Sequence, residues 1–292
     1  MKNIFFSILL IALFNVSYGQ DTIKIESPWN FKGMTALNLA QVSLTNWSQG
    51  GENSIALGGL AVMNLDYTKN KSSWANILNV GYGIQKTGTN TSGKTDDHVD
   101  FISKYGYSTS KNVYVTILYN IKTQFAPGYN EQGPNRKLIS DFMAPGYMML
   151  TIGMEYKPND NFFAMLSPIG SKATFVNNDS LAMEGRFGVE PGEKFRLEMG
   201  ASARVAFIHD ILKNVTLTTS MDLFSNLLNK PQNIDVNWTA LINMKINEFL
   251  SANINTTIRF DDNIKYINPE GVSHGARVQF KELFGVGASF KF

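Results

Sequence analysis

Nucleophilic catalysis on a serine needs a base within hydrogen-bond reach, and the 292 residues offer three histidines for that role, His98, His209 and His274. Strand alternation places His98 on an inner face near one rim, His209 in a short turn, and His274 in a longer loop beside Ser273. None of them shares an outward face with a serine, so the chain is read as a non-enzyme. Asp96, His98 and Asp100 lie on one parity of a single strand, a spacing that could converge on a metal because imidazole and carboxylate are common ligands. Three ligands from one strand rarely close a coordination shell, however. Asp261, Asp262 and Asn263 could offer oxygens to a hard cation, but a solvated turn accounts for them as well. The expectation is no metal and no cofactor. With a net charge of +2 and no phosphate-cradling glycine loop, zinc-finger spacing or basic stripe, no nucleic-acid partner is expected either.

The remaining candidates are charges spaced through otherwise apolar segments. Asp100, Lys104, Lys122, Glu155, Arg196, Glu198, Arg204, Asp222, Asp235, Lys245 and Arg259 fall on the parity opposite the apolar residues. If that parity faces a lumen, two readings follow. A narrow water-filled pore would use such charges to sort solutes. A network of internal ion pairs would fill a small barrel and hold it together.

These residues sit on segments that alternate with period two, the signature of strands with one apolar and one polar face. From 113 to 125, Val113, Val115, Ile117, Tyr119, Ile121 and Phe125 alternate with Thr116, Asn120, Lys122 and Gln124. The same pattern predicts strands at 34–46, 54–68, 73–85, 96–108, 148–157, 162–169, 195–207, 215–224, 234–245, 250–261 and 278–292, about twelve in all. Most approach or exceed the roughly 9 to 11 residues that a tilted strand needs to cross a bilayer. Links at 69–72, 109–112, 158–161, 208–214 and 246–249 are short. Those between them are longer and rich in Gly, Pro, Asn and Ser. That regular alternation predicts an all-β, transmembrane antiparallel β-barrel with short periplasmic turns and longer extracellular loops. Trp74, Tyr107, Phe125, Tyr156, Phe207 and Trp238 would supply aromatic girdles at the two interfaces.

The start of the chain, Met1-Lys2-Asn3, then an apolar run and Ser17-Tyr18-Gly19, reads as a signal peptide over 1–19, leaving 20–292 as one barrel domain with both ends periplasmic. No later stretch approaches the roughly 20 apolar residues of a membrane-spanning helix. The chain ends on alternating apolar residues that include Phe290 and Phe292. This ending reads as an assembly signal, with outer-membrane lipid and the barrel-assembly machinery as the expected partners. A lack of cysteine means that nothing is stapled by disulfides.

The loop sequence Trp47-Ser48-Gln49-Gly50-Gly51-Glu52-Asn53-Ser54 resembles that of the domain of unknown function 3078 family of Gram-negative outer-membrane proteins. Ser140-Asp141-Phe142, Ala144-Pro145-Gly146-Tyr147, Ser167-Pro168 and Gly185-Arg186-Phe187-Gly188-Val189 add to the likeness. The resemblance implies a barrel and carries no substrate or catalytic residue with it. Pro127 and Pro145, each in an Ala-Pro-Gly-Tyr repeat that ends at Tyr129 or Tyr147, bracket one long loop. Folding of that loop over the barrel mouth and an exposed recognition surface for an envelope protein or glycan both fit. Two functions therefore stand open: a narrow channel for small polar solutes, and a closed structural or accessory barrel that binds another envelope component.

Overall fold

The computed structural model describes residues 27–43, 53–88, 93–129, 136–267 and 273–292. The expected signal peptide, and Trp47, Ser48, Gly50 and Gly51 of the loop motif, lie outside them. Twelve strands close into a barrel: β1 (Trp29–Val42), β2 (Ser54–Lys69), β3 (Ser72–Thr87), β4 (Gly93–Ser110), β5 (Val113–Thr123), β8 (Gly146–Asn159), β9 (Phe162–Phe175), β10 (Phe195–Leu212), β11 (Val215–Asn226), β12 (Ile234–Lys245), β13 (Leu250–Phe260) and β16 (Gln279–Lys291). Each runs antiparallel to its neighbours in chain order, and β1 pairs with β16 to close the ring. Among the described residues, the long loops carry two small ribbons, β6 (Gly128–Tyr129) with β7 (Leu138–Ser140) and β14 (Lys265–Ile267) with β15 (Ser273–Ala276), and one short α-helix, α1 (Asp179–Met183).

The physical logic is that of a sheet with solvent of opposite kinds on its two faces. Leu37, Ile117, Leu150, Leu197 and Phe284 stand exposed on the outer wall, while Thr116, Asn120, Thr151 and Glu155 on the opposite parity are buried within. An exposed apolar wall of this extent is stable only against hydrocarbon, where closure leaves no strand edge without hydrogen bonds. No helix among the described residues is long and apolar enough to cross a membrane. Trp29, Tyr67 and Trp74 form one ring cluster at the short-turn end, and Phe31 packs on Phe292 at 5.7 Å beside it. The turns themselves are tight: Asn70, Asn112 and Asn214 take positive φ values of 55°, 66° and 65°, a conformation that asparagine tolerates better than other residues with a side chain.

Three strands run five or six residues past their predicted bounds, β1 by starting at Trp29 and not at Met34. β9 continues from Ile169 to Phe175, and β10 continues to Leu212, so that the link expected at 208–214 shrinks to residues 213–214. His209 is therefore in a strand, stacked on Phe207 at 5.5 Å on the outer face, and not in a turn. β9 hides its continuation because Pro168 interrupts it. The register shifts on both sides of that residue, between Ile152 and Met154 of β8 and between Gly200 and Ser202 of β10. Inside a strand paired on both sides, as β9 is, a residue without an N–H fits at such a bulge.

Candidate functional site

A central cavity of about 1210 Å³ is lined by residues of all twelve barrel strands. Its lining runs from Lys157, Asp160 and Asn161 at the short-turn end to Gln124, Pro145 and Tyr147 at the loop end. Its wall is two-sided. Across β1, β2 and β3 the middle of the lining is Met34, Leu60, Val62 and Ile77, with Asn64 beside Ile77 and Asn79 beside Val62. From β4 round to β13 the inner residues carry nearly all the charge.

That charge is paired. At the short-turn side, the Lys104 ammonium donates to Glu155 at 2.6 Å, Thr116 donates to the same carboxylate at 3.3 Å, and Lys104 also lies 4.0 Å above the Phe163 ring. In the middle, Asp222 accepts from Arg204 at 2.7 Å and from Asn237 at 3.2 Å, with Lys122 at 3.5 Å. Lys122 reaches Asp100 at 3.7 Å, Asn120 donates to Asp100, and Arg259 donates to Asn237 at 3.1 Å. Toward the loop end, Lys172 is gripped by three carboxylates: Asp235 in a short contact, Asp261 at 2.7 Å and Glu198 at 3.4 Å. Arg196 donates to Glu198 at 2.7 Å, and Asn226 and Asn263 each donate to it at 3.2 Å. Charges this deeply placed persist because each finds partners; alone, they would each cost several kcal/mol.

Over this last cluster the outer loops fold together. Ala144, Val176, Leu181, Ala182 and Val189 are buried against one another, with Leu138 and Phe187 packed alongside. The helix α1 begins at Asn178, whose side chain caps Leu181 N–H and donates to Asp141 at 3.0 Å, joining the two loops. Gly185 and Gly188 hold φ values of 62° and 80°, which bend the Gly185–Val189 stretch so that the Gly188 carbonyl accepts from Arg196 at 2.7 Å. Around this cover, Asp179 is held below its usual carboxyl range by the Lys194 ammonium that donates to it. Burial raises Glu184, but hydrogen bonds from Lys137 and Arg186 outweigh it and leave the carboxyl lowered.

The candidates named from sequence divide cleanly. Asp100, Lys104, Lys122, Glu155, Arg196, Glu198, Arg204, Asp222, Asp235 and Arg259 all enter the interior network. Lys245 is exposed at the short-turn end of β12, outside the cavity lining. Asp96 and His98 meet each other at 3.2 Å, while Asp100 turns to Lys122 and Asn120. Asp261 serves Lys172 and Asp262 accepts from Asn233 at 2.6 Å, so those two carboxylates look to different partners. Pro127 is exposed just before β6, and Pro145 and Tyr147 line the cavity. Ser54 begins β2, with Asn53 just before it accepting from the Gly88 N–H at 2.7 Å. Phe292 exchanges both backbone hydrogen bonds with Gly33, and Phe290 packs near Phe249 at 6.3 Å.

Two residues of consequence carried no sequence signal. Lys172 lies beyond the expected end of β9. Asp97 accepts from the Phe125 and Ala126 N–H groups at 2.7 and 2.8 Å and from Lys94 at 2.9 Å, anchoring the start of the long loop. It shares the parity of Val99 and Phe101, so alternation assigns it to the lipid face.

Among solved structures, the translocator domain of the autotransporter NalP from Neisseria meningitidis aligns with 8% identity over 100% of this chain and 96% of its own, at a TM-score of 0.35. OmpT, an outer membrane protein of Vibrio cholerae, aligns with 10% identity over 90% of this chain and 97% of its own, at 0.31. The Pseudomonas putida toluene transporter TodX aligns with 9% identity over 94% of each chain, at 0.28. No curated protein matches the chain. Residues 39–129, from β1 through the start of the long loop, match the model of the family described as protein of unknown function DUF3078, the family that the tryptophan loop motif resembles.

Proposed function

We propose that this chain is an integral outer-membrane barrel, with both mature termini in the periplasm, that passes small polar solutes through its lumen. The single observation that supports it is the central cavity, whose lining draws on all twelve strands and extends from the short turns to the loop bases. In this reading the barrel is non-catalytic. Its partners are the surrounding lipid and, during insertion, the assembly machinery that reads Phe290 and Phe292. Interior charges act by spacing and by hydration, because a narrow polar pore selects by what can replace the water of a solute.

The test is single-channel conductance of the refolded protein in a planar bilayer, with heat-modifiable gel migration as proof of folding. Steady conductance that falls in Lys122→Trp, whose bulk enters the lining, is expected. Folded protein that stays silent overturns the channel. The folded cover of α1 and the β6–β7 ribbon favours a second reading, a closed accessory barrel that presents those loops to another envelope component. Retention of a partner by the wild-type protein, lost when the cover is deleted, is the result expected under that reading.

A further inference from the structure

The barrel closes over an unusually short seam. β2 and β3 pair over all 16 residues of each strand. β1 and β16, in contrast, pair from Gly33 with Phe292 only as far as Asn38 with Gly287. Past that point β1 goes on pairing with β2 as far as Val42, and β16 with β13 as far as Gln279. Among the described residues, the two facing edges have no ladder between them there. At the seam Leu39, Ala40 and Gln41 of β1 and Gln279, Phe280, Lys281 and Glu282 of β16 are exposed in succession, inner and outer parities alike, as they also are at the short-turn end of β10 from Phe207 to Leu212.

The split lies at a definite depth. Phe31 and Phe292 mark the short-turn interface, and about 9 to 11 residues of tilted strand cross the hydrocarbon, so the split opens in the loop-side leaflet past Asn38 and Gly287 and continues beyond it at Gln279 to Lys281. Bare backbone is tolerated at membrane depth only where it is buried in protein or lines a water-filled space. Here the space is the lumen, whose lining includes Gln279, Phe280 and Lys281. The lumen wall beside the seam carries Met34, Leu60, Val62 and Ile77 with Asn64 and Asn79 among them, Lys281 on the split edge pairs with Asp96 of β4, and most of the remaining charge stands opposite. Leu37, Leu39 and Phe284 flank the split on the lipid side.

From this we propose that the β1–β16 seam is a lateral portal through which a single acyl chain passes between the loop-side leaflet and the apolar strip of the lumen. The matching ligand is amphipathic, with its chain on β1–β3 and its polar head toward the charged wall. The inference rests on the open lumen of the proposed function but adds a second exit from it.

The native chain has no cysteine, so single labels are clean. A fluorophore on Val62→Cys, inside the apolar strip, is reconstituted in phospholipid brominated along its acyl chains. The same label on Thr218→Cys, on the far side of the lumen, is the control. The portal predicts loss of fluorescence at residue 62 but not at residue 218. That loss disappears when Gln41→Cys and Phe284→Cys are bridged by a short bis-maleimide across the split. Equal quenching at the two labels overturns the proposal, as does quenching at residue 62 that survives the bridge. Adding a brominated fatty acid to unbrominated bilayers then separates entry of a free acid from entry of the bilayer's own lipid. Conductance of the same samples reports on the channel independently: silence with quenching at residue 62 removes the polar-solute reading and leaves the portal, and conductance without quenching does the reverse.

Discussion

Replacing Lys172 with methionine removes one cation from a site where three carboxylates converge on it. Lys172 is 7% exposed and Glu198 4%, and the side chains of Asp235 and Asp261 are 17% and 12% exposed. Methionine fills nearly the same volume, so the loss is electrostatic, not a cavity. Afterwards, only Arg196 remains to balance Glu198, Asp235 and Asp261 in this cluster. Breaking a buried ion pair from one side costs about 3 to 5 kcal/mol. The residual solvent access of two of the acids places this case near the lower bound, about 3 kcal/mol, or roughly a hundredfold in the unfolding equilibrium. The assay is urea unfolding of the barrel in lipid vesicles, followed by tryptophan fluorescence and by gel migration of the unboiled protein. Lys172→Met should unfold at clearly lower urea, and adding Asp235→Asn with Asp261→Asn should return most of the loss, since neutral amides no longer need the ammonium. A single variant as stable as wild type, or a triple variant no better than the single, refutes the claim that this cluster holds the loop end of the barrel together.

Three further outcomes follow from the same geometry. Leu181→Ala should release the loop cover, at a cost near the lower end of the roughly 2 to 5 kcal/mol typical of such truncations; a protease would then cut within residues 176–194 while barrel migration stays unchanged, and an uncut loop would show that the cluster does not hold the cover. Asp179 and Glu184 bind protons less readily in the folded cover than in an unfolded loop, so their stabilisation is complete above the ordinary carboxylate range and decays as pH falls through their depressed values. A spin label on Met183→Cys should therefore gain mobility in acid, and an identical transition in Asp179→Asn with Glu184→Gln would show that other groups are responsible. Phe292→Ala removes the ring contact with Phe31 at 5.7 Å, worth about 0.5 to 1.5 kcal/mol, and should lower the yield of heat-modifiable barrel on refolding; an unchanged yield would mean that closure does not depend on that ring.

The strand number, their order and the alternation of short and long links were legible because lipid and lumen impose opposite demands on successive residues. That demand marks Val113 to Gln124 unambiguously. It fails where the backbone departs from ideal pairing: Ser167, Pro168 and Gly170 break the alternation at a double bulge, and Lys172 disappeared into a supposed loop. It also fails where a residue of the outward parity turns under a loop, as Asp97 does to cap two amides. The interior charges were visible one at a time, but their partners were not, because pairing across strands depends on register, and register depends on turns and bulges. His209 shows the same limit, since a polar residue near a strand end reads as turn until the neighbouring strand fixes how far the ladder runs.

Register also changes what the interior charges mean. Lys104, Lys122, Lys172, Arg196, Arg204 and Arg259 face Asp100, Glu155, Glu198, Asp222, Asp235 and Asp261, six of each sign, and most are committed to one another or to amide groups. Charges so balanced give little net field to sort solutes by sign, and side chains held in mutual contact narrow the β4–β13 side of the lumen. Under the proposed channel, the open part of the lumen is the side away from these contacts, where Met34, Leu60, Val62 and Ile77 stand among Asn64 and Asn79. That side leads to the strands whose ladder stops at Asn38 and Gly287. The charged wall is thus the scaffold that holds the loop end of the twelve-stranded ring together under its cover, and the sector of Met34, Leu60, Val62 and Ile77 is the one its ion pairs leave open.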